Sequence, residues 1–180
     1  MSILQIVLIS IYFIFAQSTL PFGSMGTWAT IDRPLVAGLV VGLILGNPVQ
    51  GTIIGASINI IYLGIISAGG SIPSDSGMAG IFGTALALAG GLDTSTALAL
   101  AVPLGLLGSV ENTVVMTLQC FLVKVIDKWI DEGKSKMVFV GDYVIPYAFK
   151  YVIRFIMSFV ILYYGSSAIN SVATSLDGPY

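Results

Sequence analysis

Glu111 and Asn59 each interrupt an apolar run, and Ser74 and Asp75 lie in a turn-rich stretch of small residues, Ala68-Gly69-Gly70-Ser71-Ile72-Pro73-Ser74-Asp75-Ser76-Gly77. Carboxylates, amides and hydroxyls accept and donate several hydrogen bonds at once, which is what a polyhydroxylated ligand requires. Each residue also has a plainer role open to it. Asn59 can hold helices together, Ser74 or Asp75 can cap a helix that starts near Met78, and Glu111 can be protonated or paired with Asn112. A carboxyl far from the ends of an apolar helix is nevertheless costly and marks a functional position by default. Asn59, Ser74, Asp75 and Glu111 therefore form the candidate substrate-binding set.

Little else in the chain can react. There is no His and a single Cys, Cys120, too few good ligands for a zinc, haem or iron–sulfur site. Ser/His and Cys/His nucleophile pairs are impossible for the same reason. Gly133-Lys134-Ser135 resembles the end of a phosphate-binding loop, but Trp129 stands where that loop needs a glycine. The expectation is no catalytic residue, no cofactor and no metal. A net charge of −2 without a basic stripe argues against nucleic acid.

The elements that position these residues belong in a bilayer. Of 180 residues, 56% are hydrophobic and 9% charged, against about 25% charged in soluble domains. Residues 1–31 carry no charge, and residues 34–74 form a second uncharged run of 41. The first apolar segment, about residues 2–19, reads as a retained membrane helix followed by a break at 21–24 and an interfacial stretch that includes Trp28. Crossing ~30 Å of hydrocarbon takes ~20 helical residues. Residues 34–46 and 51–67 fall short of that, separated by Asn47-Pro48, and so predict a re-entrant hairpin, with two tilted crossings as the alternative. Asp32 can cap its first helix, and Pro34 suits the first turn. Gly38, Gly42, Gly46, Gly51 and Gly55 recur at four-residue spacing within the two helices, giving each a smooth face for close packing.

A further short helix is expected over 78–90. A long one follows over 95–126, capped from Asp93, Thr94 or Ser95 and kinked at Pro103. Residues 124–136 hold four Lys, and the stretch about 124–142 is expected to face the cytoplasm by the Lys and Arg count, as a loop or as a solvated helix end and turn. A last apolar segment over 143–164 starts with Lys150 and Arg154 on its basic side, and residues 166–180 are small and polar. The fold class is all-α: a polytopic membrane protein with short, discontinuous helices, residues 1–180 forming a single membrane domain.

Asp32-Arg33-Pro34-Leu35-Val36-Ala37-Gly38, the ladder through Gly42, Gly46-Asn47, Gly51 and Ile54-Gly55, then Tyr62-Leu63-Gly64, Ala68-Gly69-Gly70-Ser71-Ile72-Pro73 and Ala101-Val102-Pro103-Leu104 together resemble a known family. It is the sugar-permease subunit IIC of the mannose/fructose/sorbose class of the bacterial phosphotransferase system. The resemblance implies a multi-pass subunit of the bacterial cytoplasmic membrane, in contact with lipid and oligomeric. Such a subunit binds a sugar, pairs with a membrane subunit IID, and presents the sugar to the soluble phosphocarriers IIA and IIB, which own the histidines of phosphate transfer. Many members have Glu where Asn59 stands and Gln where Ser109 stands. Family chains also continue through a second half beyond the region matched here, so this chain is expected to correspond to the N-terminal part of a permease. The alternatives are a shortened IIC-like protein that docks IID, and an ion-coupled transporter using Glu111 and Asp93 as relays.

Overall fold

The computed structural model describes residues 1–18, 30–65, 73–133 and 135–176. The expected break at 21–24, the stretch around Trp28 and most of the small-residue run before Pro73 lie outside them. Among the described residues every regular element is helical: α1 Ile3–Ala16, α2 Pro34–Leu45, α3 Pro48–Tyr62, α4 Ser76–Ala89, α5 Thr94–Asp131, α6 Ser135–Phe139, a π-helical turn Val140–Val144, and α7 Ile145–Leu176.

Local chemistry sets the ends of these helices. Ser2 and Gln5 form a reciprocal capping box at the start of α1. α2 closes on Gly46 at φ 83°, in the left-handed region that favours glycine. Asn47 then caps α3 by accepting from the Gln50 N–H, with Pro48 in the first turn. α2 and α3 thus form a tight hairpin, a feature common to the re-entrant arrangement and to the two tilted crossings. With 12 and 15 residues, each is shorter than the ~20 needed for a full crossing. α3 ends at Tyr62, before the expected 67, because the chain turns at Leu63-Gly64.

The structure corrects two further boundaries and one cap. α5 continues to Asp131, so the charged stretch is a helix end followed by a turn at Gly133 (φ 68°) and a new helix. α7 runs to Leu176, well past the expected end near Tyr164. Gly165 and Ser166 do not stop it: Gly165 packs on Leu86, and the Ser166 hydroxyl donates to the Tyr163 carbonyl at 3.1 Å. Residues 166–176, read as a polar remainder, are therefore helical. Asp32 does not cap α2. The N-cap residue is Arg33, without a side-chain cap bond, and Asp32 is buried elsewhere.

α4 is the central strut. Gly77 through Ala87 are all buried, as expected for a helix apolar all round. On one side it meets Ile6, Ile9 and Phe13 of α1, Val41 of α2 and Leu162 of α7, with the Phe13 and Phe82 rings 4.8 Å apart. On another it meets Ile54, Ile58 and Tyr62 of α3 and Ala97 and Ala101 of α5. Large apolar side chains cover the outside, among them Leu4, Leu8, Ile11 and Phe15 on α1 and Leu106, Val110, Val114 and Phe121 on α5. Asp32, Asp75, Glu111 and Arg154 are inside. Apolar outside and ionic inside is the distribution a bilayer selects. α5 and residues 145–169 of α7 are long and apolar enough to cross it.

Asp93 caps α5 at the exposed end. Its carboxylate accepts from the Thr96 N–H at 3.3 Å and from the Ser95 and Thr96 hydroxyls. The Ser95 hydroxyl, then that of Thr96, holds the carboxyl down from 3.8 to about 2. Depression of a folded-state carboxyl stabilises the helix end above pH 3.8, and that contribution disappears as pH falls through about 2. Exchange protection of the Thr96 amide is expected to hold at pH 5 and drop between pH 4 and 2, and Asp93→Ala is expected to abolish the pH response. Constant protection over that range would mean that the cap contributes nothing.

Candidate functional site

Several segments converge at the N-terminus of α4. Asp75, the residue before that helix, has an extended backbone, and its Oδ1 accepts from the Met78 N–H at 2.8 Å. Its own N–H donates to the Gly105 carbonyl on α5 at 2.9 Å. The contact needs glycines opposite: a Cβ on Gly105 would lie 2.5 Å from the Ser74 hydroxyl, and one on Gly108 would lie 2.5 Å from the Asp75 Cβ. The loop thus lies directly on the α5 backbone.

From Asp75 a polar network crosses the bundle. Gln17, at the end of α1, donates from Nε2 to both Asp75 oxygens at 2.9 and 2.8 Å. The Gln17 carbonyl accepts from Arg154 Nη1 at 3.0 Å, and Arg154 Nε donates to Glu111 Oε1 at 3.1 Å. Arg154 is 2% exposed and Glu111 6%, so the ion pair joining α5 to α7 is buried. One turn before Arg154, the Tyr151 hydroxyl shares a 2.6 Å hydrogen bond with Ser18. On the α3 side, the Tyr62 hydroxyl shares a 3.1 Å bond with Ser74.

Asp32 borders this network. Its Oδ1 is buried without a hydrogen-bond partner and sits where a Cβ on Gly77 would be, 1.9 Å away, while Pro34 fills the corresponding place at Gly80. The Asp32-Arg33-Pro34 stretch is therefore packed against the first two turns of α4. Two carboxylates, Asp32 and Asp75, flank the positive end of that helix dipole.

Three of the four candidates meet here. Ser74 and Asp75 are adjacent in the loop, and Glu111 joins them through Arg154 and Gln17. Glu111 pairs with Arg154 and not with Asn112, whose amide is exposed and reaches Met116 Sδ at 3.5 Å. Asn59 stands apart: its Oδ1 is buried without a partner, one turn before Tyr62 on α3. Asp93 caps the start of α5, about 27 Å along that helix from Glu111 at 1.5 Å per residue, so the two do not form a relay. Sequence reasoning missed Gln17 and Tyr62 as site residues and treated Arg154 as a marker of the basic side. The lone Arg inside an apolar segment was the available signal.

The sequence model of a family described as the PTS system sorbose-specific IIC component matches residues 3–178. The PTS system mannose-specific EIIC component of Escherichia coli (strain K12) is 35% identical over 130 residues, covering 72% of this chain and 47% of the relative. The PTS system sorbose-specific EIIC component of Lacticaseibacillus casei is 34% identical over 116 residues, covering 64% and 40%. A chain in the cryo-EM structure of the mannose transporter ManYZ with microcin E492 superposes with a TM-score of 0.76 at 25% identity, covering 97% of this chain and 75% of that one. The chain spans about half the length of the curated relatives named here.

Proposed function

Because the chain belongs to the sorbose-type IIC component family of the phosphotransferase system, we propose that it binds a sugar inside the membrane and passes it toward the cytoplasmic face for phosphorylation by a IIB protein. The observation that carries this reading is the buried chain of alternating donors and acceptors, Glu111–Arg154–Gln17–Asp75, beside Ser74 and Tyr62. A sugar presents hydroxyls that both donate and accept, so it can replace internal hydrogen bonds of this network one for one. In the arrangement described, these groups satisfy one another. Entry of a sugar therefore exchanges the Gln17–Asp75 and Tyr62–Ser74 bonds for bonds to ligand. Asn59, with its buried unpartnered oxygen, is the candidate from the hairpin side.

The remaining roles follow from the family. IIA and IIB carry the phosphate, and this subunit supplies no covalent catalyst. The likeness to a chain of ManYZ supports a second membrane subunit of the IID type as partner. The Lys-rich helix end and turn around 124–136 face the cytoplasm, where IIB must approach.

Asp75→Ala and Asn59→Ala test the site. Leaving a buried partner unpaired costs about 1–3 kcal/mol, so each is expected to weaken sugar binding roughly 5- to 150-fold. The readout is uptake of labelled mannose, fructose or sorbose at limiting concentration, in cells lacking their own permeases and supplied with IIA, IIB and IID. Asp75→Asn keeps a capping acceptor for α4, so loss of uptake in that variant isolates the carboxylate from the cap. Normal uptake by all three variants would show that these residues only pack and cap.

A further inference from the structure

A second polar feature lies one turn along α7 from this network, between the C-terminal half of α5 and the start of α7. A cavity of about 320 Å³ opens there, lined by Leu122, Val123, Ile126, Pro146, Tyr147 and Lys150. Its volume is at the lower end for a small-ligand site. Leu122, Val123, Ile126 and Pro146 make its walls apolar. The Gln119 amide, also in the lining, is committed to the Pro146 carbonyl at 3.3 Å.

Lys150 supplies the one cationic group of this wall. It is half-buried, and no carboxylate among the described residues forms an ion pair with it. The two carboxylates that attract it, Glu111 and Asp75, are engaged by Arg154, one turn further along α7, and by Gln17. A half-buried ammonium against apolar walls calls for an anion with an apolar body.

The depth of the cavity narrows the choice. Along α5 no charge occurs between Glu111 and Lys124, and then Lys124, Asp127, Lys128, Asp131 and Glu132 follow in quick succession. Phe121 is 63% exposed on the apolar side of that transition. The hydrocarbon boundary therefore crosses α5 near residues 121–124, level with the cavity. Trp129 and Tyr147 are aromatics of the kind that gather at this level. A lipid placed here sets its phosphate beside an ammonium and its chains along Leu122 and Val123.

We propose that this groove binds an anionic phospholipid, with the headgroup phosphate on Lys150 and the acyl chains along the α5 wall. Charge complementarity selects an anionic lipid over a zwitterionic one, because no carboxylate among the described residues is in ion-pair contact with that ammonium. One basic residue at the bilayer surface contributes about fivefold in preference.

The test is retention of lipid by the chain in neutral detergent, offered equal phosphatidylglycerol and phosphatidylcholine and read by native mass spectrometry. About fivefold preference for phosphatidylglycerol is expected. Lys150→Gln is expected to bring it near parity, and Lys124→Gln, outside the groove, to leave it unchanged. Val123→Trp keeps the ammonium and fills the groove mouth, so it too is expected to abolish the preference, which decides the matter if Lys150→Gln does not fold. Equal retention of both lipids by the parent chain would overturn the proposal, as would an effect of Lys124→Gln equal to that of Lys150→Gln. Displacement of phosphatidylglycerol by inorganic phosphate or a hexose phosphate would also overturn it, in favour of a soluble phosphate ligand.

Discussion

Arg154→Met is expected to destabilise the chain by about 3–5 kcal/mol, because it leaves the Glu111 carboxylate buried without its partner. The side chains of Arg154 and Glu111 are only 2% and 3% exposed, so water cannot take over the lost contact. The double variant Glu111→Leu/Arg154→Met removes both charges and is expected to recover most of the loss, since apolar replacement of a buried pair is often neutral or favourable. Arg154→Lys is not a conservative change here. The guanidinium serves Glu111 through Nε and the Gln17 carbonyl through Nη1 at once, a forked geometry that an ammonium on a flexible stem does not reproduce. Thermal unfolding in detergent measures all three. If the double variant is no more stable than Arg154→Met, the loss comes from packing around the arginine. Sugar uptake then separates structure from function: a double variant that regains stability but not uptake places the pair in the sugar path.

The two halves of this ion pair were unequally legible. Glu111 stands out because a carboxylate in mid-helix has no local excuse. Arg154 lies near the start of its apolar segment, where a basic residue has an ordinary explanation in membrane topology. Nothing in a sequence separation of 43 tells a reader that α5 and α7 bring the two together. Gln17 was harder still, since a glutamine just past a helix end is unremarkable until its amide is seen between Asp75 and the α7 side of the bundle. Asp75 was legible as a cap and as a site residue, and the geometry lets it act as both, one oxygen accepting from Met78 and both from Gln17.

The fold was legible where the backbone forces a choice. Asn47-Pro48, the glycine at 46 and the Gly-rich faces of α2 and α3 announce a tight hairpin of short helices, and that hairpin is present. Boundaries failed where composition is a weak guide. Ser and Gly after Tyr164 look like the end of a helix, yet they remain helical while α7 packs on α4. Charges after Lys124 look like a loop, yet charged residues are good helix formers and α5 carries them beyond the apolar region.

Gly38→Ala is expected to open the hairpin, with a loss at or above the ~1–3 kcal/mol typical of overpacking. A Cβ at Gly38 would lie 2.4 Å from the Gly51 carbonyl oxygen and 2.7 Å from the Gly55 Cα. Gly55→Ala meets the same obstacle from the other side, 2.4 Å from the Pro34 carbonyl oxygen and 2.8 Å from the Gly38 Cα. These are backbone atoms, so no rotamer change relieves the overlap and the two helices must move apart. Gly46→Ala meets no atom within 4 Å, and its cost is confined to the φ of 83°, roughly 1–2 kcal/mol. Gly64→Ala has open space and no such φ, and is expected to be neutral. Unfolding midpoints of the four variants should therefore fall in the order Gly64→Ala, Gly46→Ala, then Gly38→Ala and Gly55→Ala together. The consequence reaches the site because α3 holds Tyr62 against Ser74. Parting the hairpin shifts that hydroxyl, and sugar uptake should fall with stability. Gly38→Ala melting at the parent temperature would mean that α2 and α3 are not in backbone contact, and the hairpin would lose its place as the support for Tyr62.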